Sequence, residues 1–317
     1  MSSPSFRRAL VIRGGALGDF LLTLPVLSAL RRAQPEARLE LLAYPGIASL
    51  AGSAGLADDV RSIEYGPLAG FFTRGATLDP ALRGYFASFD LVLSYLYDPD
   101  GFFAENLRAA GVRRLLEGPS RLTGPGHAIE QLASPLAALD IPLADRAVRL
   151  PHGKSAREKK EVFLHPGSGS AAKNWPAANW RRMASQWLAE DEGLRLAIIG
   201  GEADAAPLAE LRDLAAEPRV RLLENLPLPE LTREFGTARF YLGHDTGISH
   251  LAALCGTPSL LLFGPTDPAI WAPPHSHVRV LRAPNGDLGA LGVDAVLRAA
   301  RRGLELASGP HRADIAA

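Results

Sequence analysis

The chain has 317 residues, 34 basic and 34 acidic side chains, a formal net charge of zero and a single cysteine. That length accommodates two domains of about 150 residues, each with its own core. Zero net charge supplies no basic field for nucleic acid or acidic lipid, and the lone Cys255 excludes a disulfide framework or a cysteine-rich zinc site.

Arg7 and Arg8 precede an apolar stretch in the manner of a signal peptide, but Asp19 interrupts it and no small-residue cleavage site follows before Arg31. No run approaches the ~18 apolar residues that span a bilayer. A cytoplasmic, soluble protein is expected. Leu10 to Arg13 closes a short apolar strand that feeds the loop GGALGD (14–19). Pro25 lies within the apolar segment from Phe20 to Leu30, so a helix either kinks there or starts there with Thr23 as its cap. Arg38 to Ala43 and Leu91 to Ser94 read as further strands, and such alternation with helices means a parallel sheet in an α/β layer. Leu68 to Phe89 and Asp98 to Arg114 mix aromatic and basic residues without periodicity. Two readings stay open for them: local packing, or a surface for something amphipathic.

Residues 143–160 change character, with Pro151, Gly153 and the charged run from Arg157 to Lys160, and form the linker candidate. A second alternation follows. Val162 to Leu164 is a strand, and Trp180, Met183, Trp187 and Leu188 share one face of a helix with Pro176 at its first position. Leu196 to Ile199, Val220 to Leu223, Phe240 to Leu242 (ended by Gly243), Ser259 to Phe263 and Val278 to Leu281 are strands. Helices are expected at Leu208 to Ala216, Pro229 to Phe235, Gly247 to Leu254 (capped by Asp245 or Thr246) and Val293 to Leu306. The domains fall at 1–150 and 151–317, with the last helix, about residues 293–306, a candidate to pack back on the first. The tail from Ser308 is expected to fray.

Open parallel sheets bind ligands beyond the carboxyl ends of their strands. The loops there, GGALGD, HPGSGSAAKNWP (165–176), GGEAD (200–204), ENLP (224–227) and GHDTG (243–247), are rich in glycine and hydroxyls and carry one lysine. Backbone amides, hydroxyls and an ammonium suit a diphosphate. The dinucleotide fingerprint fails because Arg13 stands where its first glycine belongs, and no P-loop, nucleophile elbow or His-Glu-x-x-His is present. Hydride transfer, ATP hydrolysis, serine hydrolysis and zinc chemistry are therefore disfavoured.

Three segments resemble glycosyltransferase family 9, the ADP-heptose:lipopolysaccharide heptosyltransferases: GDFLLTLPVLSALR (18–31), HPGSGSAAKNWPAANW (165–180) and DTGISHLAALCGTPSLLLFGPTDPAIW (245–271). The resemblance implies the GT-B fold, two facing Rossmann-like domains with parallel sheets. It implies an inverting glycosyltransferase that moves a sugar, a heptose by preference, from an ADP-sugar donor to a lipopolysaccharide core acceptor. Asp19 resembles the family's general base, although a plain helix cap is its alternative. Ser168, Gly169 and Lys173 resemble the groups around the donor phosphates, with a surface lysine as the alternative for Lys173. Glu202 matches a ribose-binding carboxylate or is an exposed loop acid. Leu226 aligns near the adenine. Asp245, Thr246 and Gly247 resemble the family's donor-binding DTG, and His250, one turn on, either reaches the site or is structural; His165 and His244 are taken as structural. No metal and no cofactor are implied, since Lys173 and a helix dipole can neutralise the leaving ADP. Domain closure is expected, and the membrane-borne acceptor implies peripheral contact with the inner membrane through Phe71, Phe72, Phe102 or Phe103. Segment 65–149 carries no matching motif. Two other functions stay open: a nucleotide-sugar epimerase on a GT-B-like fold, and a non-catalytic sugar-nucleotide binder.

Overall fold

A computed structural model describes residues 6–151 and 161–308. The charged run of the linker candidate and the tail beyond Ser308 lie outside the described residues. The chain divides into two compact units, residues 1–151 and 152–317.

Unit 1 runs β1 (Arg8–Arg13), α1 (Leu17–Leu21), α2 (Leu24–Ala33), β2 (Arg38–Ala43), α3 (Pro45–Ser53), β3 (Asp59–Ser62), α4 (Pro80–Ala87), β4 (Leu91–Ser94), α5 (Phe102–Ala109), β5 (Leu115–Glu117) and α6 (Ala128–Ala133). Its five strands are parallel in the order β3-β2-β1-β4-β5. β1 is buried from Ala9 to Arg13 and β4 throughout, as strands covered on both faces must be. Pro25 sits in the first turn of α2. Thr23 holds the N-cap position, but its hydroxyl donates to the Asp19 carbonyl at 2.9 Å instead of capping the helix. The aromatic-basic segments resolve into a 3-10 turn at 66–72, α4 and α5. Phe71 and Phe103 belong to the core with Phe86 and Leu107, so neither serves a membrane-facing surface. Burying those rings holds the turn against α5, and only Phe72, stacked on Phe103 at 4.6 Å, remains 45% exposed. No helix among the described residues is long and apolar enough to cross a membrane.

Unit 2 runs β6 (Glu161–Leu164), α7 (Ala177–Glu190), β7 (Arg195–Gly200), α8 (Ala205–Ala209), β8 (Val220–Glu224), α9 (Leu228–Thr237), β9 (Ala238–His244), α10 (Gly247–Leu254), β10 (Ser259–Phe263), α11 (Pro268–Trp271), β11 (Val278–Arg282) and α12 (Val293–Ser308). The parallel order is β11-β10-β9-β6-β7-β8. Trp180, Met183, Trp187 and Leu188 of α7 all enter its core, together with Val296, Leu297 and Ala300 of α12. α12 packs on α7 and β9 within this unit.

Three local expectations change. Gly243 does not end β9; the strand continues through His244, paired with Leu261 and Leu262 of β10, and the Tyr241 phenol lies across the glycine, its oxygen 2.3 Å from where a Cβ would stand. Pro176 is the N-cap of α7 and not its first residue, so the helix begins one residue later than expected, at Ala177. Residues 208–216 form no single helix: α8 ends at Ala209 and a 3-10 turn covers 212–216. The buried anchors Leu208 and Leu211 are three apart, the period of the tighter helix.

Candidate functional site

Each sheet reverses its strand order once, between β1 and β4 in unit 1 and between β6 and β9 in unit 2. The crevice at such a switch point is where open α/β sheets take ligands.

In unit 2 the loops after β6, β7 and β9 meet there. Thr246 caps α10, its Oγ1 accepting from Ser249 N at 3.3 Å, so Thr246 and not Asp245 is the cap. Gly256 ends the same helix with φ +74°, a left-handed turn that glycine takes without cost. Freed from capping, Asp245 turns its carboxylate to Lys173, with Nζ–Oδ2 at 2.9 Å. The pair sits at the amino end of α10, where the helix dipole favours an anion. Lys173 thus brings its ammonium to the α10 terminus even though it lies 72 residues earlier in the chain.

Ser168 is buried. Its hydroxyl lies 2.7 Å from Ser170 O and 2.6 Å from Asn174 Oδ1 and accepts from Ser170 N, so its one hydrogen is used inside the loop. Gly169 is exposed, with open space where a Cβ would be, as are Ser170, Ala171 and Ala172 after it, so this part of the loop is open to a ligand. Glu202 opens the short turn after β7 and is exposed; Leu226, after β8, is half-buried; His250 is buried inside α10.

A buried polar network that the sequence reading missed supports these loops. Asp204 takes hydrogen bonds from Gly201 N at 2.8 Å and from His165 Nε2 at 3.2 Å. Burial opposes its ionisation, but the bonds to His165 and Gly201 outweigh that and hold its carboxyl below the usual carboxylate range. With Nε2 on Asp204, the other ring nitrogen of His165, Nδ1, faces Thr246 Oγ1 at 3.5 Å. Gly167 completes the fit, since a Cβ there would stand 2.0 Å from Asp204 Oδ1. His244 Nε2 accepts from Trp175 N at 2.8 Å, which assigns the ring hydrogen to Nδ1, facing Gly167 O at 3.3 Å. Burial, with His165 adding to it, pushes the His244 pKa down to about 3, so the ring is neutral. Trp175 is a packing residue, edge-on to Trp180, with its indole N–H on Leu291 O at 2.9 Å. One signal for Asp204 was available in the sequence: an acid three residues after the glycine that ends the β7 loop is placed to cap back onto it.

In unit 1, Asp19 lies in the first turn of α1. Its Oδ2 accepts from Ala16 N at 3.3 Å, and its side chain is 44% exposed. Beneath it the Arg13 guanidinium is buried and donates twice to the Asp19 carbonyl, at 3.1 and 3.3 Å, with Nη2 3.6 Å from Oδ1. Burial lowers the Arg13 pKa, against the pull of Asp19 and Tyr95. The carboxylate is therefore tied to the first turn of α1 and still accessible, on an anchored backbone.

A family model described as glycosyltransferase family 9 (heptosyltransferase) matches residues 131–291. Lipopolysaccharide heptosyltransferase 1 of Salmonella typhimurium is 39% identical over 113 residues, 34% of this chain and 33% of that protein. Lipopolysaccharide heptosyltransferase 3 of Escherichia coli is 22% identical over 293 residues, 81% of this chain and 83% of that protein. The match to the first thus spans about a third of that relative's length, whereas the second runs nearly end to end. The structure of Escherichia coli heptosyltransferase WaaC with ADP superposes with a TM-score of 0.71 at 21% identity, covering 93% of this chain and 99% of that one, a likeness that carries the GT-B fold. On the family match and the two parallel-sheet units together, the chain belongs to glycosyltransferase family 9.

Proposed function

We propose that this protein is an inverting glycosyltransferase that moves a heptose from ADP-heptose to a lipopolysaccharide core acceptor. The observation that carries the reading is the convergence of Lys173, Asp245, Thr246 and Gly247 at the amino end of α10. A nucleoside diphosphate leaving group gains negative charge as the glycosidic bond breaks, and an ammonium beside a helix amino end stabilises it. The exposed Gly169 backbone approaches the phosphates, Glu202 accepts from the ribose hydroxyls, and Leu226 packs against the base. Asp245 exchanges its ammonium partner for sugar hydroxyls when the phosphates engage Lys173. His250 and Ser168 support the site from within. The names of the relatives favour heptose, and a solved relative binds ADP.

Asp19 takes the proton of the acceptor hydroxyl as its oxygen attacks the anomeric carbon from the side opposite the leaving ADP. We place the reaction in the cytoplasm and infer peripheral contact with the inner membrane through Phe72, which is exposed, and the half-buried Phe102.

The test is Asp19→Asn. The amide oxygen can still accept from Ala16 N, so α1 keeps its cap while the base is removed. Turnover of ADP-heptose with a deacylated core acceptor should fall roughly 10²- to 10⁴-fold, with ADP affinity and melting temperature unchanged. A fully active Asp19→Asn enzyme would end the assignment.

A further inference from the structure

Four aromatic side chains are strongly exposed among the described residues: Tyr44 (38%), Tyr65 (48%), Phe72 (45%) and Tyr97 (57%). The three tyrosines share one edge. Tyr44 directly follows β2, Tyr65 lies three residues past β3, and Tyr97 three past β4, each beyond the carboxyl end of its strand. With the order β3-β2-β1-β4 they flank the loop after β1, the one that leads to Asp19. Their segments touch that loop. A Cβ on Gly14 would stand 3.4 Å from Leu96 Cδ2 and 3.6 Å from Ile63 Cδ1, and these residues immediately precede or nearly precede Tyr97 and Tyr65. Tyr44 starts α3, which packs on α1, the helix that carries Asp19.

None of the three hydroxyls has a hydrogen-bond partner among the described residues, and each residue keeps more than a third of its surface open. Tyr97 keeps more than half its surface open even with the Arg121 guanidinium 4.5 Å from its ring centre. Singly scattered apolar residues need no explanation, but three on one edge beside an accessible carboxylate do. The face of a tyrosine ring is electron-rich and attracts the polarised C–H groups on the apolar face of a pyranose. Tyrosine also supplies contact area at little conformational cost, and its free hydroxyl can meet sugar hydroxyls. Four adjacent strands spread these rings over about 14 Å, room for more than one sugar ring.

We propose that Tyr44, Tyr65 and Tyr97 are the platform on which sugar rings of the acceptor stack, setting which hydroxyl is offered to Asp19. This rests on the transfer reading above. The experiment titrates the full chain with a deacylated lipopolysaccharide inner-core oligosaccharide by calorimetry, and in parallel with ADP. Each Tyr→Ala variant should bind the oligosaccharide about tenfold more weakly, each Tyr→Phe variant should bind it nearly as the wild type does, and ADP affinity should be the same throughout. All three positions are exposed, so the alanine variants should melt as the wild type does. The platform is overturned if the alanine variants bind the oligosaccharide as well as the wild type, or if the wild type does not bind it. A wild type that binds the oligosaccharide through these tyrosines yet transfers no heptose would instead remove the transfer reading and leave the glycan platform standing.

Discussion

His244 carries no solvent exposure, and its two nitrogens are both committed, one to Trp175 N and one to Gly167 O. Its protonation is therefore linked to folding. The unfolded ring takes a proton near 6.5, whereas the folded ring does so only near 3. Between those values the unfolded chain holds the extra proton, so acidification through that window weakens the fold, by at most about 1.4 kcal/mol per pH unit. His244→Gln retains an acceptor but does not titrate. The stability advantage of the wild type over this variant in urea should shrink as the pH is lowered through the window; a constant gap would mean that the ring titrates alike in both states. At Lys173 the ion pair with Asp245 sets a second expectation. Lys173→Ala removes the ammonium proposed to meet the diphosphate, and ADP affinity measured by calorimetry should drop roughly ten- to a hundredfold, the usual loss of a charged hydrogen bond. Unchanged affinity would place the diphosphate elsewhere. Lys173 was noticeable in the sequence because lysines are scarce, but its partner was not, since 72 residues separate them and only the β6–β9 pairing closes the gap.

The element that most depends on a single small residue is β9. Tyr241 reaches over Gly243 to bond Ser249 Oγ at 2.9 Å, and Ser249 in turn donates to the His244 carbonyl, tying strand to helix across the turn at Asp245. Burial raises the Tyr241 pKa and keeps the phenol protonated as the donor in that chain. Gly243→Ala would drive a methyl into the ring, and a loss of about 1–3 kcal/mol in urea unfolding is expected. Gly243→Ala in a Tyr241→Ala background should cost less, since the obstructing ring is gone. Apolar runs made β4 and β10 readable to the residue, and β2 was readable as well although Arg38 and Glu40 interrupt it. The extension of β9 was not readable, because its last residues, glycine and histidine, have weak strand preference and are held by tertiary contacts instead. The same reason hid the division of 208–216: helix propensity is adequate along it, and burial of Leu208 and Leu211 decides its shape.

Over the whole molecule, two sheets with separate cores mean that a ligand held by one unit stabilises that unit first. ADP at a hundred times its Kd should raise the opening free energy of β6, β7, β9 and α10 by about 2.7 kcal/mol, read as slowed amide exchange, with β1 to β5 little changed. Equal protection of both sheets would contradict a grip confined to unit 2. Strand–helix alternation made both sheets legible, and the glycine-rich loops located the carboxyl edge. The buried Asp204–His165 support was less legible, because each of its members looks ordinary until burial and spacing bring them within hydrogen-bond reach. The Trp175 indole is held by the Leu291 carbonyl, 116 residues downstream. During synthesis the loop after β6 has been made long before its anchor exists. At about 5–20 residues per second, an interval on the order of ten seconds separates the two, and the first unit can finish folding well inside it. The nascent protein therefore completes the sheet that carries Asp19 before the loop after β6 gains its anchor.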